Sequence, residues 1–523
     1  MQNSTQFHLN QRRGAVQLAL TTGLALLFVV ALLWGFRSVT PVRADPGDLY
    51  VDGATGQDIP ACGTTTTPCQ TISYTLSSRA SDGDTILIAT GTYTENLTVA
   101  GITVTLRGGY SISGTLWLTG TGETVVDGGQ ADRVFSIYGS NSVLENLTIT
   151  GGQAPGDQCW GSGVWVTNGS VTIRSSTITG NAGDCGAAGI EVNDDMGPAH
   201  LTLESSTVSH NTGSERGGLQ VWGENASALV QDVTFAGNAA GNTGAGMAVV
   251  NSASAVIVNT HFYSNTAGHG GGGIMVDGSA QAQITNAVIE HNGADFGGGI
   301  AVRGSASASI SGTRVISNTA NNSGGGIGIW AGGPSVVMAN TVVSDNYGYD
   351  AGGVAMWETG GIFTGTNLLV VDNRSGPGPA GVALWGSSGG QLMNVTVSGN
   401  DSGTGVDGAE VEGPASGFPI VNSIFWGNGM DGSNLGGSNL NVSYSDVQGG
   451  FAGTGNIDAD PLFIGGGDYR LRIGSPCVDK GTSAGAPTHD LEGTLRDGAP
   501  DMGAYEWTGA RIFLPLTARN FGP

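Results

Sequence analysis

Residues 323–346 read SGGGIGIWAGGPSVVMANTVVSDN, residues 350–373 read DAGGVAMWETGGIFTGTNLLVVDN, and residues 379–400 read PAGVALWGSSGGQLMNVTVSGN. The three stretches are copies of one unit. Aligned on the closing asparagine, they extend into a column of Asn181, Asn211, Asn238, Asn265, Asn292, Asn318, Asn346, Asn373, Asn400 and Asn428. Successive spacings are 30, 27, 27, 27, 26, 28, 27, 27 and 28 residues. A fixed period of this length marks a repeat architecture, in which each unit buries its apolar face only against its neighbours.

The period is not helical. Three residues before each asparagine stands Ile178, Val208, Phe235, Phe262, Ile289, Val315, Val343, Val370, Val397 or Phe425. Six before it runs a second polar column of Asn259, Asn286, Asn340, Asn367, Asn394 and Asn422. Upstream, glycine precedes alternating apolar residues, as in Gly299-Ile300-Ala301-Val302 and Gly326-Ile327-Gly328-Ile329. Each unit therefore reads as short strands of period two broken by Gly/Asn turns, with no room for helices between them. Stacked units place equivalent residues about 4.8 Å apart. At that spacing the asparagine amides can hydrogen-bond along the column and satisfy polar groups that the turns would otherwise bury bare.

With these columns in hand, the chain resembles the right-handed parallel β-helices of the pectin-lyase-like class. The pairing of GG-[IVLM] with [FVI]-x-x-N, as in Gly218-Leu219 with Phe235…Asn238 and Gly246-Met247 with Phe262…Asn265, also resembles the repeats of polymorphic outer-membrane adhesins. The resemblance covers roughly residues 130–456 and implies an all-β, single-stranded solenoid of coils averaging 27 residues, including its hand. It speaks to the fold and weakly to activity, because the repeat residues build the scaffold.

Composition narrows the partners. The 523 residues include 93 Gly, only 11% are charged, and the formal net charge is −24, from 18 Lys+Arg against 42 Asp+Glu. Lys480 is the single lysine. Nucleic acid is excluded as a partner on the absence of clustered basic charge, and long polyanions are disfavoured for the same reason. Cations, neutral sugars and other proteins stay open.

Around the repeats the chain divides further. Residues 1–44 read as targeting: Arg12 and Arg13 precede an apolar run over 15–36, and Val42-Arg43-Ala44 fits a small-residue cleavage site with a mature start near Asp45. The run is also long enough to serve as an uncleaved membrane anchor, the one membrane contact expected. Both readings export the remainder to the cell surface or beyond. Residues 45–130 form an N-terminal cap and first coils, with a short helix over 72–80 closing the open end of the stack. There Cys62 and Cys69 bracket a short loop and pair once exported. Residues 131–456 are the stack. Within it Cys159 and Cys185 differ by 26 residues, about one coil, so they should meet on adjacent rungs as a second disulfide.

Residues 457–507 break the repeat and resemble the choice-of-anchor segment that follows β-helices in exported bacterial proteins. Asp490, Arg496, Asp501 and Glu506 read there as polar capping and ion pairing where the helix ends. Cys477 reads as buried and inert. Residues 508–523 form an apolar tail, either a sorting signal or a docked strand.

Two constellations could carry chemistry. Reading three residues past the first apolar position of each unit gives Thr167, Asn193, Trp222, Val250, Asp277, Arg303, Trp330, Trp357 and Trp385. Period two points this position outward, which would make Trp330, Trp357 and Trp385 an exposed aromatic ladder beside a flat floor of Gly328, Ala355 and Ala383, suited to a sugar chain or an apolar partner. The alternative is that the tryptophans stack on one another and cover the strand-to-turn corner. Secondly, Asp345 and Asp372 precede the asparagine column on adjacent rungs. Paired carboxylates can hold Ca2+, though no cofactor is required, or serve as acid and nucleophile in a retaining glycosidase. The alternative is two solvated turn aspartates.

Enzyme signatures that the resemblance implies are poorly met. Pectate-lyase-like sites combine acidic Ca2+ ligands with an Arg or Lys base, and the stack has no lysine. Polygalacturonase-like elements are present as Asn193-Asp194-Asp195 and Gly268-His269-Gly270, but almost three rungs apart. The sequence therefore points to a monomeric, exported, adhesin-like protein presenting a repetitive face to polysaccharide or a cell-surface partner. The alternative is a polysaccharide lyase or glycoside hydrolase.

Overall fold

The computed structural model of the protein describes residues 47–113, 116–119, 122–154, 156, 160–357, 360–403, 405–429 and 434–509. Within Asp48–Gly509 the repeats coil into a parallel β-solenoid. The coil Ile274–Glu290 and its continuation show the plan: strands Ile274–Asp277, Gln281–Thr285, Val288–Glu290 and Gly293–Phe296, after which the next coil begins at Ile300. Among the described residues, stacking these strands builds three sheets of 28, 10 and 13 strands, parallel except for the antiparallel pair Thr105–Ser113 and Leu116–Thr119, the largest taking two strands from most coils. The register advances one coil at a time, with Ile274 opposite Ile300 and Ile289 opposite Val315.

The two sequence columns each have a structural job. The apolar position three before the asparagine is fully buried from Ile178 to Phe425, and Phe235 and Phe262 stack there with ring centres 4.8 Å apart. The asparagines form one continuous ladder. Each Nδ2 donates to the Oδ1 of the next rung, as from Asn265 to Asn292 and from Asn292 to Asn318, at 2.9 and 3.0 Å. The same amide of Asn265 also donates to the Phe235 carbonyl of the previous coil at 3.0 Å. The buried turn is thereby satisfied from both sides. The ladder runs one step past the sequence column, from Asn428 to Asn434, where the last coil is cut short. The second column marks left-handed corners: Asn259, Asn286, Asn340, Asn367, Asn394 and Asn422 all have φ between +49° and +54°. Asparagine tolerates this region better than other side chains because its short amide hydrogen-bonds locally.

At the N-terminal end the expected short helix and the expected Cys62–Cys69 pair are present. The helix Ile72–Ser78 is capped by the Thr71 side chain, and Ile72 and Leu76 enter the core. The Glu95 carboxylate accepts from the Ile72 and Ser73 N–H groups at 3.0 and 2.7 Å. Cys62 and Cys69 form a disulfide. Cys185 is a half-cystine, and its expected partner Cys159 lies outside the described residues, as do 1–46 and 510–523. Among the described residues no helix is long and apolar enough to cross a membrane.

The C-terminal segment corrects one expectation. It does not simply close the last rung; it runs along the flank of the stack and reads the corner asparagines. Asn367 donates to the His489 carbonyl, Asn394 to the Asp501 and Gly503 carbonyls, and Asn422 to the Thr482 carbonyl. Arg496 answers by donating to Asn367 Oδ1 and to Glu506, the latter pair buried at 3.0 Å. The ion pairing foreseen for this segment is present, but it fastens the segment sideways across three coils. Cys477 is buried, its thiol donating to Asp446 at 3.1 Å, with burial and that carboxylate pushing the thiol well above its usual range.

Candidate functional site

The tryptophan ladder is where outward-facing reasoning fails. The register does align Trp330 with Trp357, and their rings stack 5.3 Å apart within 6° of parallel. Trp330, however, is only 9% exposed and packs against Ala248, Val250, Met275 and Ala301. The floor is buried too, with Ala355 and Ala383 inaccessible to solvent. The cause lies one strand earlier. The glycine-rich turn that enters each coil folds back over the outer face of the 13-stranded sheet. Gly244 sits there at φ +65°, so close that a Cβ would come 2.6 Å from the Ala248 methyl. Trp357 and Trp385 are half-buried, and Trp385 Nε1 donates to Glu410. There is thus no exposed three-rung aromatic wall: Trp330 and Trp357 stack and cover the corner, and Trp385 packs with Trp357 against Ala351, Ala355 and Ala383.

Asp345 and Asp372 do lie on adjacent rungs, both at left-handed corners with φ +57° and +56°. They share this corner with His210, Ser264, His291 and Ser317, so the position selects a residue that tolerates the conformation. Both Asp372 oxygens already accept from the Tyr469 hydroxyl at 3.0 Å. Burial raises the Asp372 pKa, the Tyr469 hydrogen bond opposes it, and Asp345 adds to the rise. Among the described residues no group of three or more His, Cys, Asp or Glu side chains is placed to hold a metal ion.

A better-formed site occupies the same outward column two to four rungs before Trp330. A cleft of about 230 Å³ opens between Trp160, Glu215, Arg216, Gln220, Trp222 and Asp277. The Trp160 and Trp222 rings converge at 6.0 Å and 44°. Arg216 pairs with Glu215 at 3.1 Å, and Arg303 Nε donates to Asp277 at 2.9 Å. Burial works against the Asp277 charge, but the Arg303 guanidinium outweighs it and holds the carboxyl below its usual range. Burial lowers the Arg216 pKa, against the pull of Glu215 and Glu191. A larger cavity, about 320 Å³, lies in the C-terminal segment between Arg470, Leu471 and Trp507, lined only by residues from Ile464 onward.

Beside the cleft lies a buried polar pair. Glu191 is fully inaccessible, roofed by the turn at Gly161, where a Cβ would come 2.8 Å from the Glu191 Cβ. Its Oε2 accepts from the Ala187 N–H at 3.0 Å and its Oε1 from Gln220 Nε2 at 3.1 Å. Burial pushes the carboxyl up to about 8, with the Ala187 hydrogen bond and Arg216 opposing. Asn193 is equally buried; its amide lies near enough to Glu191 to oppose the rise, although neither amide atom reaches full hydrogen-bond geometry. Of these residues the sequence column contained Asn193, Trp222 and Asp277. Trp160 and Arg216 lie outside it and come from the turns, whereas Glu191 and Gln220 stand on the strands in the second outward column, the one that continues to Gly328, Ala355 and Ala383.

Residues 77–459 match, in the overlapping stretches 77–262, 133–313, 217–402 and 272–459, the family described as the right-handed beta helix region, and the chain belongs to that family. Among solved structures it is similar to pectate lyase Pel9A, with 14% identity, 88% of this chain and 98% of that chain covered, and a TM-score of 0.33. It is also similar to XylC in complex with xylose, with 10% identity, 88% and 98% coverage and a TM-score of 0.37. A rhamnogalacturonan lyase shows 10% identity, 80% and 90% coverage and a TM-score of 0.25. No curated protein matches the chain.

Proposed function

We propose that this is an exported β-helix protein, held at the cell surface or released outside the cell, that binds carbohydrate in the Trp160–Trp222 cleft. The observation that carries the reading is the convergence of two indole rings on a recess lined by Gln220, Arg216, Glu215 and Asp277. Aromatic faces cover the apolar side of a sugar ring, while a few fixed polar groups address its hydroxyls. The acidic chain favours a neutral glycan over a polyanionic one. The Cys62–Cys69 disulfide suits an oxidising compartment. The protein acts as a monomer and needs no cofactor in this reading.

A second reading, cleavage of extracellular polysaccharide, draws on the carboxylates of Glu215 and Asp277 at the same cleft. Each is engaged by an arginine, which favours binding over proton transfer. The test is retention and turnover of the full chain on neutral and acidic polysaccharides, with and without Ca2+. Retention of a neutral polysaccharide without new chain ends, weakened roughly tenfold or more in Trp222→Ala, is the expected result. New chain ends that disappear in Glu215→Gln would establish the enzyme instead. No retention on any polysaccharide would overturn both.

A further inference from the structure

We infer that Glu191 is a positioning residue for the cleft: its proton decides which end of the Gln220 side-chain amide faces the ligand. The inference rests on the carbohydrate-binding reading of the same cleft. Gln220 both lines the cleft and hydrogen-bonds to Glu191, so it links the two. In the arrangement described, both Glu191 oxygens accept, one from the Ala187 N–H and one from Gln220 Nε2. Among the described residues no donor reaches Gln220 Oε1, which is left to accept from a ligand hydroxyl.

A proton on Glu191 reverses this. The carboxylic acid then has an O–H that must donate, and the Ala187 N–H cannot receive it. Gln220 Nε2 facing that O–H would set two donors against each other. Turning the amide over brings Gln220 Oε1 to accept from Glu191 and sends the two Nε2 protons towards the cleft. The ligand then meets a donor where it had met an acceptor. Asn193, buried near Glu191 with neither amide atom in full hydrogen-bond geometry, is the competing acceptor.

The surroundings permit the proton to be held. Glu191 is roofed by Gly161, flanked on the preceding strand by Trp165, and receives only neutral hydrogen-bond donors. The charges acting on it are Arg216 and Arg133, which favour ionisation, and Asp195, which opposes it. Arg216 is already paired with Glu215, and Arg133 lies over the Trp165 ring with its guanidinium carbon 4.9 Å from the centroid. Burial therefore dominates and places the titration at about 8.

The experiment is the affinity of the full chain for a retained neutral polysaccharide from about pH 6.5 to about pH 9.5, across the Glu191 transition. Wild type, Glu191→Gln and Asn193→Leu are compared, each checked for folding by its thermal melt. A step of roughly threefold or more centred near pH 8 is expected in wild type, absent in Glu191→Gln and kept in Asn193→Leu. Where Glu191→Gln fails to fold, Gln220→Met leaves Glu191 in place and must also remove the step. Binding that is intact but flat with pH, or a step that survives Glu191→Gln or Gln220→Met, overturns this inference while leaving the binding reading standing. A step lost in Asn193→Leu overturns it in favour of Asn193 as the acceptor. No retention at any pH overturns the binding reading, and this inference with it.

Discussion

The Tyr469 hydroxyl stands 3.0 Å from both carboxylate oxygens of Asp372, 97 residues earlier in the chain. The contact joins the C-terminal segment to a corner of the stack and uses the carboxylate that a metal or a substrate would need. Removing the hydroxyl leaves Asp372 half-buried without its donor. Tyr469→Phe should therefore destabilise the protein by roughly 1–3 kcal/mol, the range for a hydrogen bond to a charged group. Limited proteolysis should cut the 457–507 segment faster than in wild type. An unchanged melt and unchanged cutting would show that the contact does not fasten the segment.

The asparagine ladder makes a sharper prediction. Asn292 accepts from Asn265 and donates to Asn318, and every member is buried. Asn292→Ala would leave the Asn265 backbone N–H without its acceptor, and the Asn265 amide, the Phe262 carbonyl and the Asn318 oxygen would each lose one hydrogen bond. With about 1–3 kcal/mol for the buried N–H left unsatisfied and about 1 kcal/mol for each other bond lost, the loss should reach roughly 2–5 kcal/mol. At the corner column the logic is conformational. Asn340→Ala forces a side chain without a local hydrogen bond into φ +49°, at about 1–2 kcal/mol, whereas Asn340→Gly should be far milder, as Gly312 already occupies this column. Thermal and denaturant melts of the three variants should rank Asn292→Ala as most damaging.

Tryptophans of one sequence column should behave in two ways. Trp330 is packed into an apolar cluster, so Trp330→Ala should cost about 3–5 kcal/mol of stability. Trp222 borders the cleft and is half-buried, so Trp222→Ala should lower the melting temperature much less while weakening carbohydrate retention. Equal stability losses at both positions would place Trp222 in the core as well.

These contrasts show what a sequence of this kind can and cannot reveal. The Asn181–Asn428 column and the apolar column before it are legible because each coil repeats the same local demand: one amide per buried turn, one apolar side chain per rung. Asn434 escaped because the final coil is short and places it six residues after Asn428. The outer face of the 13-stranded sheet was misread at Ala355, Ala383 and Trp330. Alternation tells which side of a sheet a residue faces, and not what covers that side. The cover is the preceding glycine turn, which also hides Glu191 and frames the cleft. Contacts of the C-terminal segment, such as Asn394 with Asp501 across 107 residues, leave no periodic trace at all.

Stability should fall as pH rises, the reverse of ordinary acid denaturation. Among the described residues burial raises five carboxyls, Asp195 and Asp372 by less and three by most: Asp446 to about 6, Asp501 to about 7 and Glu191 to about 8. In each case the native state binds a proton that the unfolded chain, with an ordinary carboxyl, has released. The stabilising contribution is complete below the unfolded values near pH 4 and is lost as pH climbs through about 6, 7 and 8. Carboxyls held below their usual range, Glu145, Asp277 and Asp468, act in the opposite sense, but their contribution disappears only as pH falls through those lower values. The growing negative charge of an acidic chain also disfavours compactness at high pH, yet that repulsion is screened by salt and the buried groups are not. Melting temperatures at about pH 5 and about pH 9, in low salt and in about 1 M salt, separate the two effects. The melt should be higher at the acidic value in both salts, and Asp446→Asn, which keeps the shape and removes the titration, should narrow the gap. A gap that closes in salt would assign the effect to net charge. A melt that rises with pH would contradict the burial of these three carboxyls.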